Sequence, residues 1–184
     1  MQTKALNNLK KAKEILDEAG VTFWLEAGTL LLAYRDNKVD ITDIDLSVEG
    51  IDIDRVEMLI PKFLKKGFKL EHIFQYNGMA REITFKRNGV NLDIWGKWIR
   101  DDQMWWVSYN FEAEDPSRIY IPHHVSKEYI DTLGTIFFKG LKLNIPYDTE
   151  GYLEANYGKE WRIPDPDWVW WRDPKSIDFN FKIE

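Results

Sequence analysis

Asp43 and Asp45 flank a single isoleucine at the head of the apolar run Leu46-Ser47-Val48, and Asp93 stands between Leu92 and Ile94 in a second strand-like run. A charged group in a buried strand loses hydration, a cost that only a partner can offset. Along a strand, side chains at i and i+2 share a face, with Cα atoms roughly 6.5 to 7 Å apart. Asp43 and Asp45 can therefore converge on one divalent cation or straddle two. Carboxylates that close repel unless a cation lies between them or one takes up a proton. If the strand carrying Asp93 lies beside the first, three acids share one surface. That is a usual way to hold Mg²⁺ for in-line displacement at phosphorus. Oxygen ligands with no cysteine and few histidines favour Mg²⁺ or Mn²⁺ over Zn²⁺.

Upstream, Gly28-Thr29 opens the short apolar stretch "TLLLAYR", with Thr29 as an expected N-cap and Arg35 at its end. A helix start offers free backbone N–H groups and positive dipole to a phosphate, and glycine permits close approach. Each feature also has a plainer reading. The Asp-x-Asp pair can belong to a solvated loop, Gly-Thr can be a simple cap, and Arg35 can be a surface residue. Asp93 can pair with Lys86 or Arg87. The order Gly-Thr, short helix, Arg, Asp-x-Asp, isolated strand Asp is what sets the ensemble apart.

The elements that must position these residues follow from periodicity. Ala5, Leu9, Ala12, Leu16 and Ala19 form a helical stripe ending at Gly20. "VTFWLEA" reads as a strand, and a loop "DNKVDIT" leads into the strand with Asp43 and Asp45. Residues 52–67 read as one helix with an Asp54/Glu57 capping box, a kink at Pro61 and a stop at Gly67. Strands "FKLEHIFQY" and "MAREITFKR" join through Asn77-Gly78, and "VNLDIWGKWI" follows Asn88-Gly89. "MWWVSYNF" adds a strand, "IYIP" leads to a short helix "VSKEYIDTL", and "TIFFKGLKLNIP" forms a small hairpin. "DTEGYLEANYG" is a helix between Asp148 and Gly158. The class is α+β.

Composition narrows the functions. The 184 residues carry a formal charge of -6 without a long Lys/Arg block, which disfavours a nucleic-acid partner. No cysteine means no disulfide, thiolate zinc site or thiol nucleophile. With no secretory h-region and no apolar run approaching a membrane span, the expected location is cytoplasmic. No repeat or linker interrupts the chain, so one domain over residues 1–184 is expected, with a Trp/Pro-rich tail from about residue 159 packed onto it. His72 is expected on a hairpin face. Trp95 or Trp98 can stack a base or fill the core, and Arg81, Lys86 and Arg87 can reach a phosphate or face solvent.

The stretch "FWLEAGTLLLAYRDNKVDITDIDLSV" resembles the LicD/fukutin-like branch of the nucleotidyltransferase superfamily, with its Gly-Thr/Ser-Leu-Leu step, Arg and Asp-x-Asp. "VNLDIWGKW" is similar to the segment bearing that family's third acid, and "GYLEANYGKEWRIPDP" to its closing pattern. Two departures are visible. Val39-Asp40-Ile41-Thr42 replaces the familiar Trp/Pro and extra acids, and Leu32-Ala33 stands where a glycine often follows the leucines. The resemblance implies a nucleotidyltransferase-like mixed β-sheet core flanked by helices. It implies Asp43, Asp45 and Asp93 as catalytic metal ligands for Mg²⁺ or Mn²⁺, and Gly28, Thr29 and Arg35 as binders of the substrate phosphate. The implied reaction moves a phosphocholine- or polyol-phosphate-type group from a CDP-activated donor to a sugar hydroxyl of a glycan or small molecule. The alternatives are transfer of a nucleoside monophosphate to a small molecule such as an antibiotic, and a non-catalytic nucleotide- or glycan-binding module.

Overall fold

A computed structural model describes residues 2–183, which pack as two compact units. The first unit takes the chain up to Lys97 together with Gly134–Ile145. The second takes Trp98–Leu133 and the chain from Pro146 onward. No linker composition marks this division in the sequence.

The first unit opens with α1 (Gln2–Glu18), whose Ala5, Leu9, Ala12 and Leu16 are buried as the stripe requires, with Ile15 beside them, while Ala19 lies just past the helix and is half-buried. It continues through β1 (Phe23–Leu25), α2 (Ala27–Asp36) and β2 (Asp45–Glu49). Then come α3 (Ile53–Met58), α4 (Ile60–Lys65), β3 (Lys69–Tyr76), β4 (Met79–Arg87) and β5 (Val90–Arg100). The strand order is β1-β2-β5-β4-β3. β2 runs parallel to β5, and the other pairs are antiparallel. A parallel pair needs a long crossover, and here α3, α4 and the β3–β4 hairpin supply it. Asn77-Gly78 and Asn88-Gly89 have positive φ at both residues, the twist-matched two-residue turn that these dipeptides favour. Leu46, Val48, Ile83, Phe85, Leu92 and Ile94 are buried in the core. The hairpin of β8 (Leu133–Phe138) and β9 (Leu141–Pro146) is separate, and its Asn144 Nδ2 donates to the Phe23 carbonyl at 2.9 Å.

Two helical expectations change. Residues 52–67 form two short helices broken at Leu59: Pro61 supplies no N–H to the turn before it and sits in the first turn of α4, where none is needed. The Asp54/Glu57 capping box does not form. The N-cap position falls two residues earlier, at Asp52, whose carboxylate takes Arg55 Nη1 at 2.6 Å instead of a backbone N–H.

In the second unit the last residues of β5 pair with β6 (Gln103–Tyr109), which pairs with β7 (Tyr120–Ser126). The expected helix over "VSKEYIDTL" shrinks to α5 (Glu128–Asp131), since Val125 and Ser126 extend β7 opposite Met104 and Gln103. α6 (Thr149–Tyr157) begins at Asp148, whose Oδ1 accepts from Gly151 N at 2.9 Å, and ends at Gly158. The tail beyond Trp161 has turns rather than regular elements. His123 Nδ1 meets Ser176 Oγ at 3.0 Å, and His124 N donates to the Ser176 carbonyl at 2.9 Å. These contacts engage both histidines of the His123-His124 pair with the tail.

Candidate metal centre

The three acids meet in the first unit. Asp45 on β2 lies directly opposite Asp93 on the parallel neighbour β5. Asp43 precedes the strand proper, in a segment that Asn91 N and Asp93 N tie down by donating to Thr42 O and Ile44 O at 2.9 and 2.8 Å. One carboxylate oxygen from each acid lies within 4.8 Å of the others. All three carboxyls are pushed above their ordinary range. Burial is the main cause, and mutual repulsion adds to it for Asp45 and for Asp93, which rises to about 10. Asp43 Oδ1 is buried with no hydrogen-bond donor. An orphaned acceptor in that position costs about 1–3 kcal/mol, and a divalent cation is the partner its charge and neighbours fit.

Thr29 sits against the cluster rather than capping α2. Asp45 N donates to Thr29 Oγ1 at 2.8 Å, and Thr29 N donates to Asp45 Oδ2 at 3.2 Å. The cap is Glu26, whose Oε1 accepts from Ala27 N at 3.1 Å. Ala27 itself has φ 43, an unusual backbone for a residue with a Cβ. A Cβ added to Gly28 would lie 3.5 Å from Asp45 Oδ2, in ordinary van der Waals contact with that acid. Arg35, at the end of α2, reaches Asp36 through Nε at 3.1 Å and Nη2 at 2.9 Å and holds that carboxyl below its usual range.

A polar layer beneath the acids was not singled out from the sequence. Lys97 is 1% exposed, with Nζ 3.6 Å from Glu26 Oε2. The same oxygen accepts from Ser47 Oγ at 2.9 Å and Trp24 Nε1 at 3.2 Å. Burial pulls Lys97 down to about 8 against the attraction of Glu26. Glu82, buried on β4, rises to about 7 through burial and the charge of Asp43. The signal was the strand period. Lys97 is in phase with Asp93, Ser47 with Asp45, and Glu82 with Thr84, which pairs with Asp93.

The remaining candidates disperse. Arg81 is 1% exposed beneath the Tyr76 ring, and Arg87 Nη1 bonds Asn8 Oδ1 at 2.8 Å on α1. Lys86 is exposed opposite Lys69, and Trp98 lies tilted against Trp105 in the second unit with centroids 5.4 Å apart. Trp95 shares the Asp93 face and lies 5.5 Å from Lys97 Nζ.

Comparison with known proteins matches this chain to a family. Residues 20–148 match the family model described as LicD/FKTN/FKRP, nucleotidyltransferase domain. Over 176 residues the chain is 33% identical to a ribitol-5-phosphate transferase FKTN of Macaca fascicularis, covering 94% of this chain and 36% of that protein. The Mus musculus protein of the same name is 32% identical over 181 residues, covering 96% and 37%. The chain thus spans about a third of the length of the curated relatives it matches. Among solved structures, the antibiotic-resistance factor ANT(2'')-Ia superposes with TM-score 0.53 at 18% identity, over 92% of this chain and 78% of that one. The lincomycin-bound lincosamide antibiotic adenylyltransferase LnuA gives TM-score 0.50 at 17% identity, over 80% and 83%. These structures share the nucleotidyltransferase fold, and the sequence match is more specific: this chain belongs to the LicD/FKTN/FKRP family.

Proposed function

We propose that this domain is a metal-dependent transferase that moves a polyol-phosphate- or phosphocholine-type group from a CDP-activated donor to a sugar hydroxyl. The observation that carries the reading is the three-acid cluster with its orphaned Asp43 Oδ1. The relatives named ribitol-5-phosphate transferase favour a polyol phosphate as the group moved. Asp43, Asp45 and Asp93 would hold Mg²⁺ or Mn²⁺. When bound, the cation neutralises phosphate oxygens and compensates the three carboxylates.

The chain's own residues do the rest. Gly28 and Thr29 would place the start of α2 beside the donor's phosphate, whereas Arg35 is engaged by Asp36 at the other end of that helix. The acceptor hydroxyl attacks phosphorus, the anhydride P–O bond breaks, and CMP leaves with the electron pair. The hydroxyl proton passes to a carboxylate of the cluster. Lys97 beneath Glu26 keeps the layer under the cluster from accumulating only negative charge.

The test is incubation with CDP-ribitol, CDP-choline, CTP and ATP, each with Mg²⁺ and sugar or aminoglycoside acceptors, read by product mass. Gain of a polyol phosphate or phosphocholine supports the proposal. Gain of a nucleoside monophosphate replaces it with nucleotidyl transfer. Binding that EDTA leaves unchanged, with no product, replaces it with a binding module.

A further inference from the structure

Thr84 stands directly opposite Asp93 on β4, with Oγ1 2.6 Å from Asp93 Oδ1. That is the length of a hydroxyl donating to a carboxylate. The same Oγ1 lies 3.1 Å from His72 Nε2 on β3 and 3.4 Å from Glu82 Oε1. A threonine hydroxyl has one proton, and Asp93 and Glu82 are both acceptors for it. The shorter distance, 2.6 against 3.4 Å, gives the proton to Asp93 over Glu82, and His72 does not draw it away if its Nε2 carries a hydrogen. The ring then donates to Oγ1, and the hydroxyl proton remains directed at Asp93.

The strand register makes this arrangement specific. Lys69 pairs with Lys86 and Leu70 with Phe85, and then a shift places His72 opposite Thr84. Without that bulge Glu71 would take the position. A carboxylate there would accept the Thr84 proton and draw it away from Asp93. Bulges beside active sites re-aim side chains in this way.

We infer that Thr84 and His72 are positioning residues for Asp93: the imidazole N–H orients the Thr84 hydroxyl, which holds one carboxylate oxygen and leaves the other for the cation. This rests on the reading that Asp93 is a metal ligand. Partners that orient ligating carboxylates typically change metal affinity by about 10- to 100-fold when removed. Cation occupancy and the His72 tautomer are then linked. An ionised Asp93 requires Thr84 to donate to it, and that requires His72 to present Nε2–H.

The experiment uses the full chain and two readouts other than turnover. Mn²⁺ affinity is read from the electron paramagnetic resonance signal of free Mn²⁺, and the His72 ring nitrogens by ¹⁵N NMR with Mg²⁺ or EDTA. The expected results are about tenfold weaker Mn²⁺ binding in Thr84→Val and His72→Glu, and recovery in Thr84→Ser and His72→Gln, which keep a hydroxyl and an N–H. Mg²⁺ is expected to fix the Nε2–H tautomer. If Thr84→Val fails to fold, the His72→Glu and His72→Gln pair carries the comparison. Wild-type Mn²⁺ affinity in His72→Glu, or an Nδ1–H tautomer with Mg²⁺ bound, overturns the inference. Loss of Mn²⁺ in Asp43→Asn alongside retention in Thr84→Val and His72→Glu overturns it while sparing the metal centre. A wild-type chain that binds no Mn²⁺ overturns both.

Discussion

Asp43, Asp45 and Asp93 repel one another in a cluster that water only partly reaches, so the metal-free chain titrates in a distinctive direction. Their folded carboxyls sit above the unfolded range, with Asp93 at about 10 against 3.8. A raised acid contributes stability that is complete below its unfolded value and is lost as pH rises toward its folded value. In EDTA, the melting temperature should therefore fall as pH rises from about 4 toward 10, and Asp93→Asn should flatten the fall. A melting temperature that climbs over this range contradicts the arrangement. With cation and substrates present, Asp43→Asn or Asp93→Asn should lower kcat by roughly 10²- to 10⁴-fold while circular dichroism stays native. These acids were legible in the sequence because charge inside an apolar run is conspicuous. Thr84, Glu82 and Lys97 were not, because single polar residues alternating in a strand look like an ordinary solvated face until the register shows that face to be covered.

At the scale of elements, α2 is fixed to the sheet through buried charge. Lys97→Met leaves Glu26 without its cation and should cost about 3–5 kcal/mol in chemical denaturation. Adding Glu26→Gln should recover part of that loss, and strict additivity of the two changes would deny the coupling. Ala27 opens the same helix at φ 43. Replacing it with glycine removes a Cβ penalty of about 1–2 kcal/mol, less the added chain entropy, so Ala27→Gly should denature at slightly higher urea. The Asn-Gly turns and the α1 stripe were readable because their local chemistry dictates them. The kink expected at Pro61 was readable but not its severity as a full break at Leu59, and the Glu26 cap and the extension of β7 were not readable. Each depends on a tertiary partner or on a proline effect that shifts a boundary by a few residues.

For the molecule as a whole, family membership rests on residues 20–148 and on relatives about three times longer than this chain. No helix among the described residues is long and apolar enough to cross a membrane. The parallel pairing of β2 with β5 was the decisive long-range fact. Sequence pattern pointed to three acids, but only the crossover through α3, α4 and the β3–β4 hairpin puts Asp45 and Asp93 side by side. A ligand that binds only the folded state stabilises it by about 2.7 kcal/mol at one hundred times its Kd. Mg²⁺ should therefore raise the melting temperature of the wild type and leave that of Asp43→Asn nearly unchanged. The most direct measurement is anomalous diffraction from crystals soaked in Mn²⁺. The account predicts a peak coordinated by carboxylate oxygens of Asp43, Asp45 and Asp93 together, and a well-ordered cluster with no peak, or with manganese bound only elsewhere, would contradict it.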